Sequence, residues 1–281
     1  MKIIKVEIGA QGALLTGYIQ ERKEELIESS ARPAVLIFPG GGYEFVSNPE
    51  NEPVALSYSA KGFQAFVLQY SVKEKGVFPA PQSEAFEAIA YIRMHAKELL
   101  IDTDKIAVVG FSAGGHLAAS TAVHWKDETV NPILEKEGAR PDAQVLVYPC
   151  ITAGEFAYAQ LNSVHGKNTK YPEMLSLENY VDGDTPPAFI CHTAADTCVP
   201  AMNSLLYATA LAKSGVSYEL HIYKDGPHGI SLANKAVSSG VLFTLEPPVR
   251  EALKKACAKF SDWFEKSVDF LRTVFDGLNN L

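Results

Sequence analysis

Ile106-Ala107-Val108-Val109-Gly110-Phe111-Ser112-Ala113-Gly114-Gly115-His116 is the stretch around which the rest of the chain can be ordered. Its first four residues form an apolar, mainly β-branched run, the pattern of a strand buried on both faces of a parallel sheet. Leu117-Ala118-Ala119-Ser120-Thr121-Ala122 follows with helical composition, so a sharp strand-to-helix turn is predicted with Ser112 at its apex. Glycine at 110 and 114 suits such a turn, because a side chain at either position would collide with the closely packed strand and helix. The turn lifts the Ser112 hydroxyl clear of the sheet and aims the Ala113 N–H at whatever binds there. This is the G-x-S-x-G pattern, and its setting between a buried strand and a small-residue helix gives it weight.

The chain has 281 residues, 47% of them hydrophobic, which is enough to bury the core of one α/β domain spanning 1–281. A net charge of −8, with lysines and arginines scattered singly, argues against nucleic-acid and anionic-membrane partners. A small neutral or cationic molecule is the expected ligand. Lys5 and Glu7 interrupt the N-terminal apolar run too early for a signal segment, and no stretch approaches about 18 apolar residues. A cytoplasmic protein with no membrane span is therefore expected. Cysteines 150, 191, 198 and 257 have neither Cys-x-x-Cys spacing nor a matching set of histidines, and they read as reduced thiols. No metal motif and no cofactor fingerprint is present, and the composition specifies no oligomeric state.

Outward from the elbow, residues 2–8 and 13–20 alternate polar and apolar around Gly9-Ala10-Gln11-Gly12, which predicts an antiparallel hairpin at a sheet edge. The charged run Glu21 to Glu28 reads as a solvated connection. Ala34-Val35-Leu36-Ile37-Phe38 is a second buried strand, ending at Pro39-Gly40-Gly41-Gly42-Tyr43. Three glycines after a buried strand put bare backbone amides where open α/β sheets bind ligands. The phosphate-loop and dinucleotide patterns are both missing there.

Further elements are predicted as a helix over 51–60 and a strand over 64–70. A helix capped by Ser83 follows, with the stripe Ala85, Ile89, Ile92, Ala96 and Leu99. Strands are predicted over 143–149, 187–193 and 217–223, a helix from Pro200 to about Lys213, and one long C-terminal helix with Val249, Leu253, Ala256, Phe260 and Trp263 on its apolar face. Residues 151–185 carry mixed composition and form a candidate covering segment. This alternation describes a mostly parallel sheet with helices on both faces.

A serine hydroxyl at neutral pH needs a base within reach, and the base needs a partner to fix its tautomer. Asp196 follows the 187–193 strand, and His228 follows the 217–223 strand within Gly226-Pro227-His228-Gly229, so both fall at the same edge of the sheet as Ser112. Of the seven histidines, His95, His116 and His124 lie in helical stretches, His165 in the covering segment and His192 and His221 inside strands. Asp182 and Asp184 precede a strand, and Asp225 is too near His228 in sequence. Gly41, Gly42 and Ala113 offer backbone N–H groups to an oxyanion. Tyr43 and Phe111 flank the predicted site and are candidates to narrow it around a substrate, with core packing as the competing reading.

Together these motifs resemble the α/β-hydrolase esterases, from about Pro33 to His228 by motif. They are most similar to the bacterial acetyl-esterase and acetylxylan-esterase-like group, relatives of the hormone-sensitive-lipase-like carboxylesterases. The resemblance implies an α/β-hydrolase fold, Ser112, Asp196 and His228 as catalytic residues, and acetylated sugars among the substrates. Pro39 stands where the lipase-like relatives carry a histidine before the triple glycine; the oxyanion amides do not require that histidine, so the departure bears on membership of that branch and not on activity. Two other readings fit the same fold: a serine peptidase of the prolyl-oligopeptidase type, for whose accessory domain the chain has no room, and a non-catalytic binding protein, which typically lacks a catalytic residue.

Overall fold

Five strands lie side by side and parallel: β3 (Arg32–Phe38), β5 (Ile101–Phe111), β6 (Ala143–Val147) and β7 (Ala188–Thr193), each built around an apolar run, and the alternating, partly exposed β8 (Tyr218–Tyr223) at the edge. On the far side of β3, β4 (Gln64–Gln69) also runs parallel to it. The predicted hairpin of β1 (Lys2–Ile8) and β2 (Ala13–Ile19) adds to β4 antiparallel, completing an eight-stranded sheet ordered β1-β2-β4-β3-β5-β6-β7-β8. The structure is a computed structural model describing residues 1–21, 31–133, 135–234, 237 and 246–276. The predicted charged connection therefore lies outside the described residues from position 22 onward.

Successive strand residues point to opposite faces, which divides the core in two. Leu36, Val108, Leu146 and Ile190 pack beneath α2 (Ala80–Met94), α4 (Ala113–Val123) and α5 (Met202–Lys213). Val35, Val109, Val145 and Phe189 face α1 (Glu52–Ala60) and the C-terminal helices α6 (Pro247–Phe260) and α7 (Trp263–Asp276). Burying one such side chain stabilises by about 1.5–3 kcal/mol. Central strands covered on both faces therefore anchor the sheet, and function can be placed on the loops at their ends.

Three local expectations change. Ser83 does not cap α2, which begins at Ala80; its hydroxyl donates to the Val130 carbonyl instead. The predicted stripe is buried throughout, but the helix breaks at His95 before the short α3 (Ala96–Leu99), and β5 starts at Ile101 after Leu100 in the left-handed region. The single C-terminal helix is two, α6 and α7, separated at Ser261 and Asp262. Phe260 and Trp263 are fully buried, whereas the side chains of Val249, Leu253 and Ala256 lie outside the described set. Among the described residues, no helix is long and apolar enough to cross a membrane.

Candidate active site

The strand-to-helix turn at Ser112 is as tight as its glycines imply. Ser112 has φ 54° and ψ −117°, a strained conformation for a side-chain-bearing residue. A Cβ on Gly110 would lie 2.2 Å from the Gly114 carbonyl oxygen, and one on Gly114 would lie 2.0 Å from that of Phe38. Only glycine allows β5, α4 and the end of β3 to meet this closely. The turn is tied down by the Ser112 N–H on the Val147 carbonyl (3.1 Å) and by the Ser112 carbonyl, which accepts from His116 and Cys150 N–H at 3.1 and 3.0 Å.

His228 and Asp196 meet this serine from the ends of β8 and β7. Asp196 Oδ1 accepts the N–H groups of Cys198 and Val199, both at 2.9 Å. Its Oδ2 accepts Nδ1–H of His228 at 2.6 Å. Burial by itself would raise the Asp196 carboxyl, but hydrogen bonds from His192 and His228, the charge of His228 and the Val199 N–H outweigh it and hold the group well below the ordinary carboxylate range. An ionised carboxylate only accepts, so Nδ1 of His228 carries the proton. Nε2 is then free to accept the Ser112 hydroxyl at 2.8 Å. Thr193 holds the histidine loop by donating its hydroxyl to the Gly226 carbonyl at 2.7 Å.

His192 is a member of this cluster that sequence reading assigned only to a strand interior. It is fully buried, donates Nε2–H to the Val199 carbonyl at 2.9 Å and accepts the Ser204 hydroxyl at Nδ1 at 2.8 Å. The same Nε2 lies 3.3 Å from Asp196 Oδ2. The available signal was its spacing, four residues before Asp196 at the end of a strand.

The glycine loop runs against the elbow, since a Cβ on Gly40 would stand 3.1 Å from that of Ser112. Gly41 (φ 126°) and Gly42 (φ 64°) adopt positive φ, and a Cβ on Gly41 would fall 2.0 Å from the Phe45 carbonyl oxygen. Neither glycine's N–H donates to an acceptor among the described residues, and the Ala113 N–H opens α4, where helices leave amides unpaired. The 151–185 segment reaches this loop through Tyr158, whose ring edge and hydroxyl would be 3.3 Å from a Gly42 Cβ.

Tyr43 and Phe111 do not line the site. Both are fully enclosed: Tyr43 stacks on His165 at 3.7 Å and hydrogen-bonds His116 Nδ1 at 3.0 Å, and Phe111 packs between Tyr148 and Trp263. Their apolar bulk at the sheet end is used by the core. A surface cleft of about 560 Å3 lined by Arg93, Arg140, Asp142 and Trp125 contains none of these groups. It opens beside the starts of β5 and β6, and its Arg93 is committed to Asp142 and to backbone carbonyls.

Three buried histidines fasten the 151–185 segment. His116 and His124 bond the carbonyls of Leu175 and Met174, each at 3.0 Å, while His165 bonds the Gly76 carbonyl. Burial lowers all three, and His116 falls from 6.5 to about 4 despite its bond to Leu175, with neighbouring His124 lowering it further. The unfolded chain takes up these protons near pH 6.5 and the folded chain resists them, so stability is full above that pH and declines as pH falls toward 4. For His116 alone the loss is about 3 kcal/mol at about 1.4 kcal/mol per unit. Urea midpoints are expected to fall steadily from pH 7 to pH 4.5, less steeply in His116→Gln; a flat profile in the wild type contradicts this.

The sheet order, the elbow and the strand-end loops define an α/β hydrolase. The BD-FAE family model matches residues 25–211, and the chain belongs to that family. It is similar to the crystal structure of an α/β hydrolase enzyme from a Medee basin deep-sea metagenome library, with 40% identity, 99% of each chain covered and a TM-score of 0.77. It is also similar to an acetyl ester-xyloside bifunctional hydrolase from Caldicellulosiruptor lactoaceticus, with 37% identity over 91% of this chain and 88% of that one and a TM-score of 0.72. An acetylxylan esterase of Xylanibacter ruminicola is 30% identical over 73% of this chain and 42% of its own length. The chain spans 34% and 42% of the first two curated relatives that it matches.

Proposed function

We propose that this chain is a serine carboxylic-ester hydrolase acting as one domain on small esters, with acetyl the preferred acyl group and a sugar as the alcohol. The observation that carries the reading is the continuous hydrogen-bond path from Ser112 Oγ through His228 to Asp196, at 2.8 and 2.6 Å. Esterase relatives support the reaction class. The acetyl and sugar assignments rest on the acetyl ester-xyloside hydrolase and the acetylxylan esterase among those relatives.

In this mechanism His228 Nε2 takes the Ser112 proton as Oγ attacks the ester carbonyl carbon. The carbonyl oxygen becomes an oxyanion, received by the N–H groups of Gly41, Gly42 and Ala113 without reorganisation of the site. The tetrahedral intermediate collapses when His228 returns the proton to the departing alcohol oxygen, leaving an acyl group on Ser112. Water then loses a proton to Nε2 and attacks the same carbon. The second intermediate breaks the acyl–Oγ bond, Ser112 recovers its proton, and the acid departs. Asp196 stays ionised throughout and stabilises the imidazolium.

Hydrolysis of p-nitrophenyl acetate, butyrate and octanoate, followed by acetylated xylo-oligosaccharides, tests the proposal. Acetate is expected to give the highest kcat/KM, with acetate released from the oligosaccharides. Failure to cleave any ester overturns the reaction class and reopens the peptidase and binding readings; a preference for octanoate overturns only the acetyl assignment.

A further inference from the structure

A buried carboxylate that takes no part in these steps lies beside the site. Glu50 ends a short 3-10 turn, Asn48–Glu50, and is 3% exposed. Its Oε2 accepts the N–H of Gly40 at 2.8 Å, directly before Gly41 and Gly42. Its Oε1 accepts the hydroxyl of Tyr148 at 2.6 Å, a buried residue just past β6 with φ 39°. Tyr148 in turn accepts the N–H of Ser231 at 2.8 Å, so its one proton is directed at Glu50.

The connection continues into the histidine loop. Ser231, three residues past His228, gives its hydroxyl to the Pro49 carbonyl at 2.7 Å and receives Nε1–H of Trp263 on its own carbonyl at 3.0 Å. The Tyr148 ring stands against the His228 ring, with centroids 4.9 Å apart and planes at 62°. The loops after β3, β6 and β8 are therefore joined through one carboxylate.

Gly40 and Tyr148 both donate to Glu50; burial raises its carboxyl above the ordinary range, and these two bonds and the nearby His228 only partly offset that. A buried charge is a weak source of stability, since an apolar replacement of similar volume is often neutral or better. What the carboxylate supplies at this place is geometry. The titratable groups facing it are Tyr70, whose hydroxyl is committed to the Pro39 carbonyl, Tyr148 and His228; His228 is also faced by Asp196 from the loop after β7.

We propose that Glu50 is a positioning residue that locks the glycine loop to the histidine loop through Gly40, Tyr148 and Ser231. The inference rests on the acyl-transfer reading above.

The test measures p-nitrophenyl acetate hydrolysis from pH 5 to 9 for the wild type, Glu50→Gln, Glu50→Asp and Tyr148→Phe, with folding followed by circular dichroism. Glu50→Gln is expected to lower kcat about 10- to 100-fold while KM changes little. Glu50→Asp keeps a carboxylate acceptor for Gly40 and Tyr148 and is expected to retain more of the wild-type kcat than Glu50→Gln. Tyr148→Phe keeps the ring on His228 but cuts the link to Ser231, and its kcat is expected to fall about fivefold or more.

A folded Glu50→Gln with kcat within about twofold of the wild type overturns the inference. Should Glu50→Gln not fold, Tyr148→Phe decides, and a wild-type kcat there overturns it. An active wild type with an inert Ser112→Ala isolates either result to Glu50. A wild type that hydrolyses no ester removes the reading beneath it.

Discussion

Ser112→Ala is expected to lower kcat/KM for p-nitrophenyl acetate by on the order of 10^5-fold while leaving the protein folded. The substitution removes a single oxygen. The backbone bonds that hold the elbow, from the Ser112 N–H to Val147 and from His116 and Cys150 to the Ser112 carbonyl, do not involve that oxygen. Alanine carries the same Cβ into the same φ of 54°, so the strain already present in the turn is unchanged. What disappears is the atom that bonds the acyl group in the proposed mechanism, and neighbouring Cys150 does not replace it: it is buried and its thiol is pushed up by desolvation, away from the thiolate form a nucleophile needs. Steady-state assays with enough enzyme to detect the residual rate measure the effect. A variant that keeps a tenth of wild-type activity contradicts the assignment.

Asp196→Asn is the second large effect, about 10^4-fold in kcat. The direction follows from the four groups around this carboxylate. Cys198 and Val199 point N–H donors at Oδ1, so an asparagine must place its carbonyl oxygen there. Its NH2 group then faces His228 Nδ1 and lies near His192 Nε2. Facing a donor, Nδ1 of His228 becomes the acceptor and the proton moves to Nε2, which can no longer take one from Ser112. The ring stays in place while its chemistry is reversed. A crystal structure of the variant with an unmoved ring, together with the rate loss, is the expected pair of results; a loss below about tenfold contradicts it.

Much of this site is legible in the chain because each part is local. The Ser112 elbow declares itself by two glycines whose missing side chains leave room for a strand and a helix to meet, and the triple glycine by its place after a buried strand. Asp196 and His228 follow from chain order, since parallel strands deliver their ends to one edge. Glu50 and His192 are not legible in this way. Glu50 acquires its place by touching Tyr148, 98 residues away, and as a sequence letter it resembles any acidic residue before a helix. His192 sits among apolar strand residues and reads as packing until Asp196 folds back beside it. Tyr43 and Phe111 show the converse: proximity in sequence to the site suggested contact with a ligand, but their rings are drawn into the two halves of the core. Helix ends differed for a similar reason, as the Ser83 hydroxyl found a tertiary acceptor in place of the cap.

The most direct measurement is labelling with a serine-directed fluorophosphonate, read by intact mass and peptide mapping. One adduct per chain is predicted, on Ser112, forming far more slowly in Asp196→Asn and missing in Ser112→Ala. A folded wild type that takes up no label, or takes it up on another residue, contradicts Ser112 as the nucleophile.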